Sequence, residues 1–239
     1  MLLLLGLILL ASLLGTITGF GTSTIMMPVL MFYYPTPEVL LFVSIIHWFN
    51  ALWRLILFRQ GFDLKLVMSF GLVGIIAAYY GSQTFFLVDE NLIEKIIAGF
   101  LFAYAIFLGF NPKFKISFNY LTGSIGGLAS GFVAGIFGMG GAIRGAFLSA
   151  FNLPKAVYLA NSALLLILID SSRLYGYFSQ GLSLNNLLGL TLTQLSICVA
   201  MSFAGVQAGK MIVEKIPQEK FRMGIAILLV LIAVRLFIS

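Results

Sequence analysis

Apolar residues run along this chain in long unbroken stretches, not in the alternation of a half-buried strand or the one-sided stripe of a soluble helix. The stretches 2–14, 39–58, 66–88 and 223–238 reach or approach the roughly 20 residues that a helix needs to cross a bilayer. Continuous apolarity predicts helices, because barrel strands would read as alternating blocks of about ten residues. Eight apolar segments can be marked. The first of each half is unusual, running about 30 residues with glycine, serine and threonine at its middle.

The two halves repeat one order of features. Each opens with an apolar run broken by glycines: Gly19-Phe20-Gly21-Thr22-Ser23-Thr24 in one, Gly138-Met139-Gly140-Gly141-Ala142 in the other. A proline turn follows, Pro37-Glu38-Val39 or Pro154-Lys155-Ala156. The next helix ends with Arg54 and then Gln60-Gly61, or with Arg173 and then Gln180-Gly181. A third helix carries Gln83 or Gln207, and a fourth follows Asp89-Glu90 or Gln218-Glu219. The expected division is a first transmembrane repeat over 1–110, a cytoplasmic linker over 111–119 and a second transmembrane repeat over 120–239.

Composition agrees, with 61% hydrophobic and 9% charged residues, so lipid is the expected solvent for nearly the whole chain. No Lys or Arg follows Met1 and the apolar run continues to Tyr34, so the first segment is expected to be retained instead of cleaved as a signal. The charge of +6 comes from residues mostly in short connections, which suits topology signals and not a nucleic-acid surface. Cys198 stands alone, so no intrachain disulfide is possible.

Charge placement also separates two topologies. With Arg144 left out because its expected place is at membrane depth, Lys and Arg divide seven against six between the two sides if all eight segments cross once. If segments one and five re-enter and return, Arg54, Arg59, Lys65, Lys113, Lys115, Lys155, Lys210, Lys215, Lys220 and Arg222 collect on one side, leaving Lys95, Arg173 and Arg235. Cytoplasmic loops carry the basic excess. The expected fold is therefore an all-α membrane protein of two inverted repeats, each a broken or re-entrant Gly-rich segment plus three transmembrane helices. Its place is the cytoplasmic (inner) membrane, with both termini outside.

Glycine clusters at membrane depth are costly unless the freed backbone lines a cavity or is buried in protein. A helix restarting there offers unpaired N–H groups and partial positive charge to an anion. Gly19, Gly21, Thr22, Ser23, Gly138, Gly140 and Gly141 are candidates for such a site, with Arg144 three residues beyond. Close helix packing is the plainer use of these glycines, but it leaves Arg144 without a purpose. An arginine near mid-bilayer needs a partner. Asp170 could supply it, or Asp170 could pair with Arg173 across an i,i+3 spacing, leaving Arg144 to a substrate.

Ser44, His47 and Asn50 form a polar stripe at spacings of three, and Asn161 and Ser162 fall at the matching place in segment six. His47 could carry a coupled proton or simply bond a neighbouring helix. Gln83 and Gln207 could donate to substrate or tie helices together. Catalysis is poorly served. One histidine and one cysteine cannot build a metal centre, the glycine runs lack the lysine of a phosphate-binding loop, and a Ser44–His47 couple has no oriented third member. No cofactor is expected.

These residues together resemble the sulfite exporter TauE/SafE permeases over the whole length. The likeness is carried by 19–24 with Pro28, by Gly138-Met139-Gly140-Gly141-Ala142-Ile143-Arg144, by Asn152-Leu153-Pro154-Lys155-Ala156, by Ser44 and Asn161-Ser162, and by Asp170-Ser171-Ser172-Arg173. Thr22 and Ser23 stand where glycines are usual in the first motif, and Phe147 where proline is frequent in the second. The resemblance implies movement of small, often sulfur-containing anions such as sulfite, sulfonates or sulfoacetate, with a proton as the possible coupling ion. A non-transporting membrane scaffold is the alternative from another class, and a membrane enzyme stands behind both.

Overall fold

The computed structural model describes residues 1–59, 61–85, 115–185 and 187–217, with residues 99, 220, 221, 223, 224, 227 and 231 besides. The regular elements among them are helical: α1 (Leu2–Thr18), α2 (Thr22–Met31), α3 (Thr36–Leu57), α4 (Leu64–Thr84), α5 (Tyr120–Phe137), α6 (Gly140–Ala150), α7 (Lys155–Ser179) and α8 (Leu192–Val213). Five of these, α3, α4, α5, α7 and α8, are long and apolar enough to cross a membrane. Most of the expected fourth helix of each half, and 111–114 of the linker, lie outside the described residues.

Both broken segments fold into hairpins. Gly19 (φ 79°) and Gly21 (φ 106°) take left-handed backbone between α1 and α2, and Gly138 (φ 69°) does so between α5 and α6. A side chain would strain each position. The far end of α2 returns to the start of α1, where Val29, Leu30 and Tyr33 line one cavity with Leu3, Leu4 and Leu7. Likewise Ser130 Oγ donates to Gly140 O at 2.9 Å, and farther back Phe118 packs on Phe151. The returning limbs are short. Ten and eleven residues rise only about 15 Å, half the thickness of the hydrocarbon core.

Proline starts the next helix in each half, since its fixed φ suits a helix N-terminus. The residues at these N-caps are Pro35 and Pro154, so Pro35, and not Pro37, is the counterpart of Pro154. Pro37 sits inside the first turn of α3. Side chains cap α5 and α8 instead, through reciprocal boxes of Asn119 with Thr122 and of Thr191 with Gln194.

Glycine stripes set the packing directions. Gly127 meets Phe70, Gly131 meets Gly74 and Gly135 meets Ala78 and Ser82, so α5 runs parallel to α4 at close backbone approach. A π-helical turn at Val67–Gly71 lies in this contact. Gly205 meets Leu9 and Ser12, and Gly209 meets Leu13 and Thr16, so α8 runs parallel to α1. In contrast α3 and α7 are antiparallel. Trp48 Nε1 donates to Ser171 Oγ at 2.9 Å, while the Gly61 loop after α3 packs on Val157 at the start of α7. The outward faces carry exposed Leu3, Ile76, Tyr80, Leu121, Leu192 and Met211, the apolar exterior that a chain in lipid presents.

Candidate functional site

Where the two hairpins pass one another, the polar residues collect. A methyl placed on Gly141 would lie 3.4 Å from Phe20 Cβ and 3.7 Å from both Gly21 N and Arg144 Nη2, and one on Gly138 would lie 3.5 Å from Met27 Sδ. The tip of each hairpin thus rests on the returning limb of the other. This contact brings Arg144, in the second turn of α6, beside the start of α2.

Two further arginines hold the descending limbs. Arg54 Nη1 donates to Gly15 O at 3.1 Å in the last turn of α1, and Arg173 Nη1 donates to Ala134 O at 3.1 Å in the last turn of α5. Donors and acceptors are both separated by 119 positions, as are Gly19 from Gly138 and Pro35 from Pro154. A guanidinium on the last carbonyls of a helix answers their partial negative charge. Hydroxyls of α7 secure the first tip: Tyr158 Oη donates to Thr18 O at 2.9 Å and Ser162 Oγ to Gly19 O at 2.6 Å.

Asp170 is shared between a guanidinium and an imidazole. Its Oδ1 lies 3.2 Å from Arg173 Nη2 and its Oδ2 lies 2.9 Å from His47 Nδ1, with all three side chains buried. The carboxylate therefore joins α3 to α7 and is taken by Arg173 and His47. Arg144 feels it only at longer range. Among the described residues, Arg54, Arg144, Arg173 and Asp170 are the buried charged side chains, each no more than 2% exposed.

That leaves cationic donors in excess. Among the described residues, Nε and Nη2 of both Arg54 and Arg144 have no acceptor, nor do the buried hydroxyls Ser23 Oγ and Thr24 Oγ1 in the first turn of α2 have a partner. Burying guanidinium donors without acceptors forfeits their hydration with nothing in return. Two such groups within Coulombic reach of each other repel as well. Arg54 is tied to Gly15, which touches Thr22, and Arg144 lies by Gly21, so the two flank one helix N-terminus. This set of donors can hold an oxyanion.

The remaining candidates are placed elsewhere or are otherwise engaged. Ser44 Oγ donates to Leu40 O within its own helix. The Asn161 amide accepts from Asp63 N and donates to Gly61 O and Val157 O, tying the loop after α3 to α7. Gln83 bonds Ser179, Gly176 and Gln180 near the end of α7, and Gln207 is exposed on α8. Sequence reasoning counted Arg54 and Arg173, at helix ends, among the charges that set topology, yet both are buried; Arg173 was also a candidate partner of Asp170 and does lie against it. Arg54 had a signal: it lies seven residues from His47 on the polar stripe and matches Arg173 in the repeat.

Among known families, the one described as Sulfite exporter TauE/SafE has a model that matches residues 4–236, nearly the whole chain. Comparisons with curated proteins and with solved structures found no match.

Proposed function

The chain belongs to the sulfite exporter TauE/SafE family, and from that premise we propose that it is a secondary transporter which binds one small sulfur oxyanion between its two hairpins. The family consists of membrane transporters of sulfite-type anions, and the five apolar helices suit a multi-pass membrane protein. The observation that carries the finer reading is the pair of buried arginines, Arg54 and Arg144, whose Nε and Nη2 donors lack acceptors among the described residues beside the N-terminus of α2. An oxyanion seated there accepts from both guanidiniums and from Ser23 and Thr24.

The site lies between two halves that we read as inverted repeats, 1–110 and 120–239, which rock to expose it to either side in turn. Helix directions support this: α1 with α3, and α5 with α7, are equivalent pairs running in opposite senses, while α4 and α8 reverse in the same way. Charge placement supports it too. With buried Arg54 and Arg173 set aside, the re-entrant topology still divides the basic residues nine against two, against five to six for eight simple crossings. Arg59, Lys155 and Lys210 line one pocket, although eight simple crossings would put Arg59 on the opposite face from the other two.

The test is flux. Purified protein in proteoliposomes should take up labelled sulfite in a saturable manner that unlabelled sulfite competes. No uptake above protein-free vesicles, from a protein that remains folded, would favour the scaffold reading.

A further inference from the structure

The buried charges of the site can be counted, and the count does not close. Arg173 and Asp170 lie 3.2 Å apart and offset each other. His47, in its neutral form against Asp170, adds no charge, nor do the phenols of Tyr158 and Tyr177, which donate to backbone carbonyls. The helix ends contribute opposing halves. The C-termini of α1 and α5 are partly negative and the N-termini of α2 and α6 partly positive, so they cancel to first order. What remains among the described residues is two positive charges, on Arg54 and Arg144, both 1% exposed.

We propose that the site selects doubly charged anions over singly charged ones, because only a dianion closes the balance of Arg54 and Arg144 against Asp170 and Arg173. The proposal rests on the transport reading above and narrows its substrate class. A single negative charge would leave one guanidinium buried without a counter-charge, in surroundings of low dielectric where water cannot offset it. The sulfite dianion meets the requirement with three oxygens on one centre, and sulfoacetate meets it with two separated anionic heads. A simple alkyl sulfonate or a zwitterionic aminosulfonate does not.

Calorimetric titration of the full chain at fixed ionic strength and alkaline pH decides between the two classes, with sulfite, sulfoacetate and methanesulfonate as probes. At least one of the dianions should bind about tenfold or more tightly than methanesulfonate. A smaller ratio overturns the charge assignment and leaves the anion site intact, whereas binding of none of the three overturns the transport reading with it. In Arg144→Gln the dianion advantage should vanish, with methanesulfonate binding at least as tightly as sulfite. A folded Arg144→Gln that keeps the full preference also overturns the proposal. Should that variant fail to fold, the wild-type ratio alone upholds or overturns the proposal.

Discussion

Replacing Asp170 by Leu tests how the buried charges are partnered. The carboxylate touches Arg173 and His47 with every participant no more than 3% exposed, so bulk water does not screen the contacts. Removing one partner of a buried pair costs about 3–5 kcal/mol, because the survivor stays charged without compensation. Here the Arg173 approach is long at 3.2 Å and not aligned as a hydrogen bond, which points to the lower half of that range. For a chain of this size the cost corresponds to a fall in Tm of roughly 6–15 °C. Arg173→Met alone should cost a similar amount. The double variant Asp170→Leu with Arg173→Met should cost less than either single variant, which requires a coupling above about 3 kcal/mol. Asp170→Leu with Arg144→Met should show little coupling, since those groups do not touch. Thermal unfolding followed by intrinsic fluorescence in detergent reads all six proteins, the wild type and the Arg144→Met single variant included. Stronger coupling of Asp170 to Arg144 than to Arg173 would refute the partner assignment.

Arg144→Lys should fold and reach the membrane while losing most sulfite flux, because an ammonium cannot reproduce a guanidinium's planar fork; normal flux would remove Arg144 from the site. Gly127→Ala puts a methyl against the backbone of Phe70 and should cost about 1–3 kcal/mol of stability, whereas Gly6→Ala meets nothing and should be silent, both read by thermal unfolding. In a Cys198→Ala background, cysteines at Lys65 and Lys215 should react with an impermeant thiol reagent from one face of the membrane and a cysteine at Ser183 from the other. Labelling of Lys65 and Lys215 from opposite faces would exclude the re-entrant topology. His47→Gln should abolish accumulation driven by a pH gradient while leaving anion exchange if His47 carries the proton, and unchanged accumulation would clear His47 of that role.

Much of the architecture was legible because lipid imposes simple constraints. Uninterrupted apolar runs gave the helices, and the glycines at 19–21 and 138–140 marked the breaks, since backbone freed from a helix must be buried in protein or line a cavity. The hairpins follow from the same glycines. The proline register was misread by two residues because Pro35 and Pro37 are equivalent in a string of letters, and only the N-cap separates them. Arg54 was missed for a physical reason as well. An arginine three residues from a helix end ordinarily snorkels to the interface, and nothing in the local sequence shows that the end of α1 waits within reach. Partnering of Asp170 was equally beyond the sequence, since the choice between Arg144 and Arg173 is settled by how α3, α6 and α7 pack. Asn161 reads as a polar lining residue in the sequence, yet it is spent on the loop at Gly61 and Asp63, which lies about a hundred positions away.

The central claim is that an oxyanion sits between Arg54, Arg144 and the first turn of α2. Selenite, a heavier analogue of sulfite, can be located by anomalous scattering in crystals of the full chain. The account predicts one selenium peak within hydrogen-bonding reach of Arg144 Nη2 and Arg54 Nη2, between the tips at 19–21 and 138–140. A peak elsewhere, with Arg144 and Arg54 instead satisfied by protein acceptors, would contradict it.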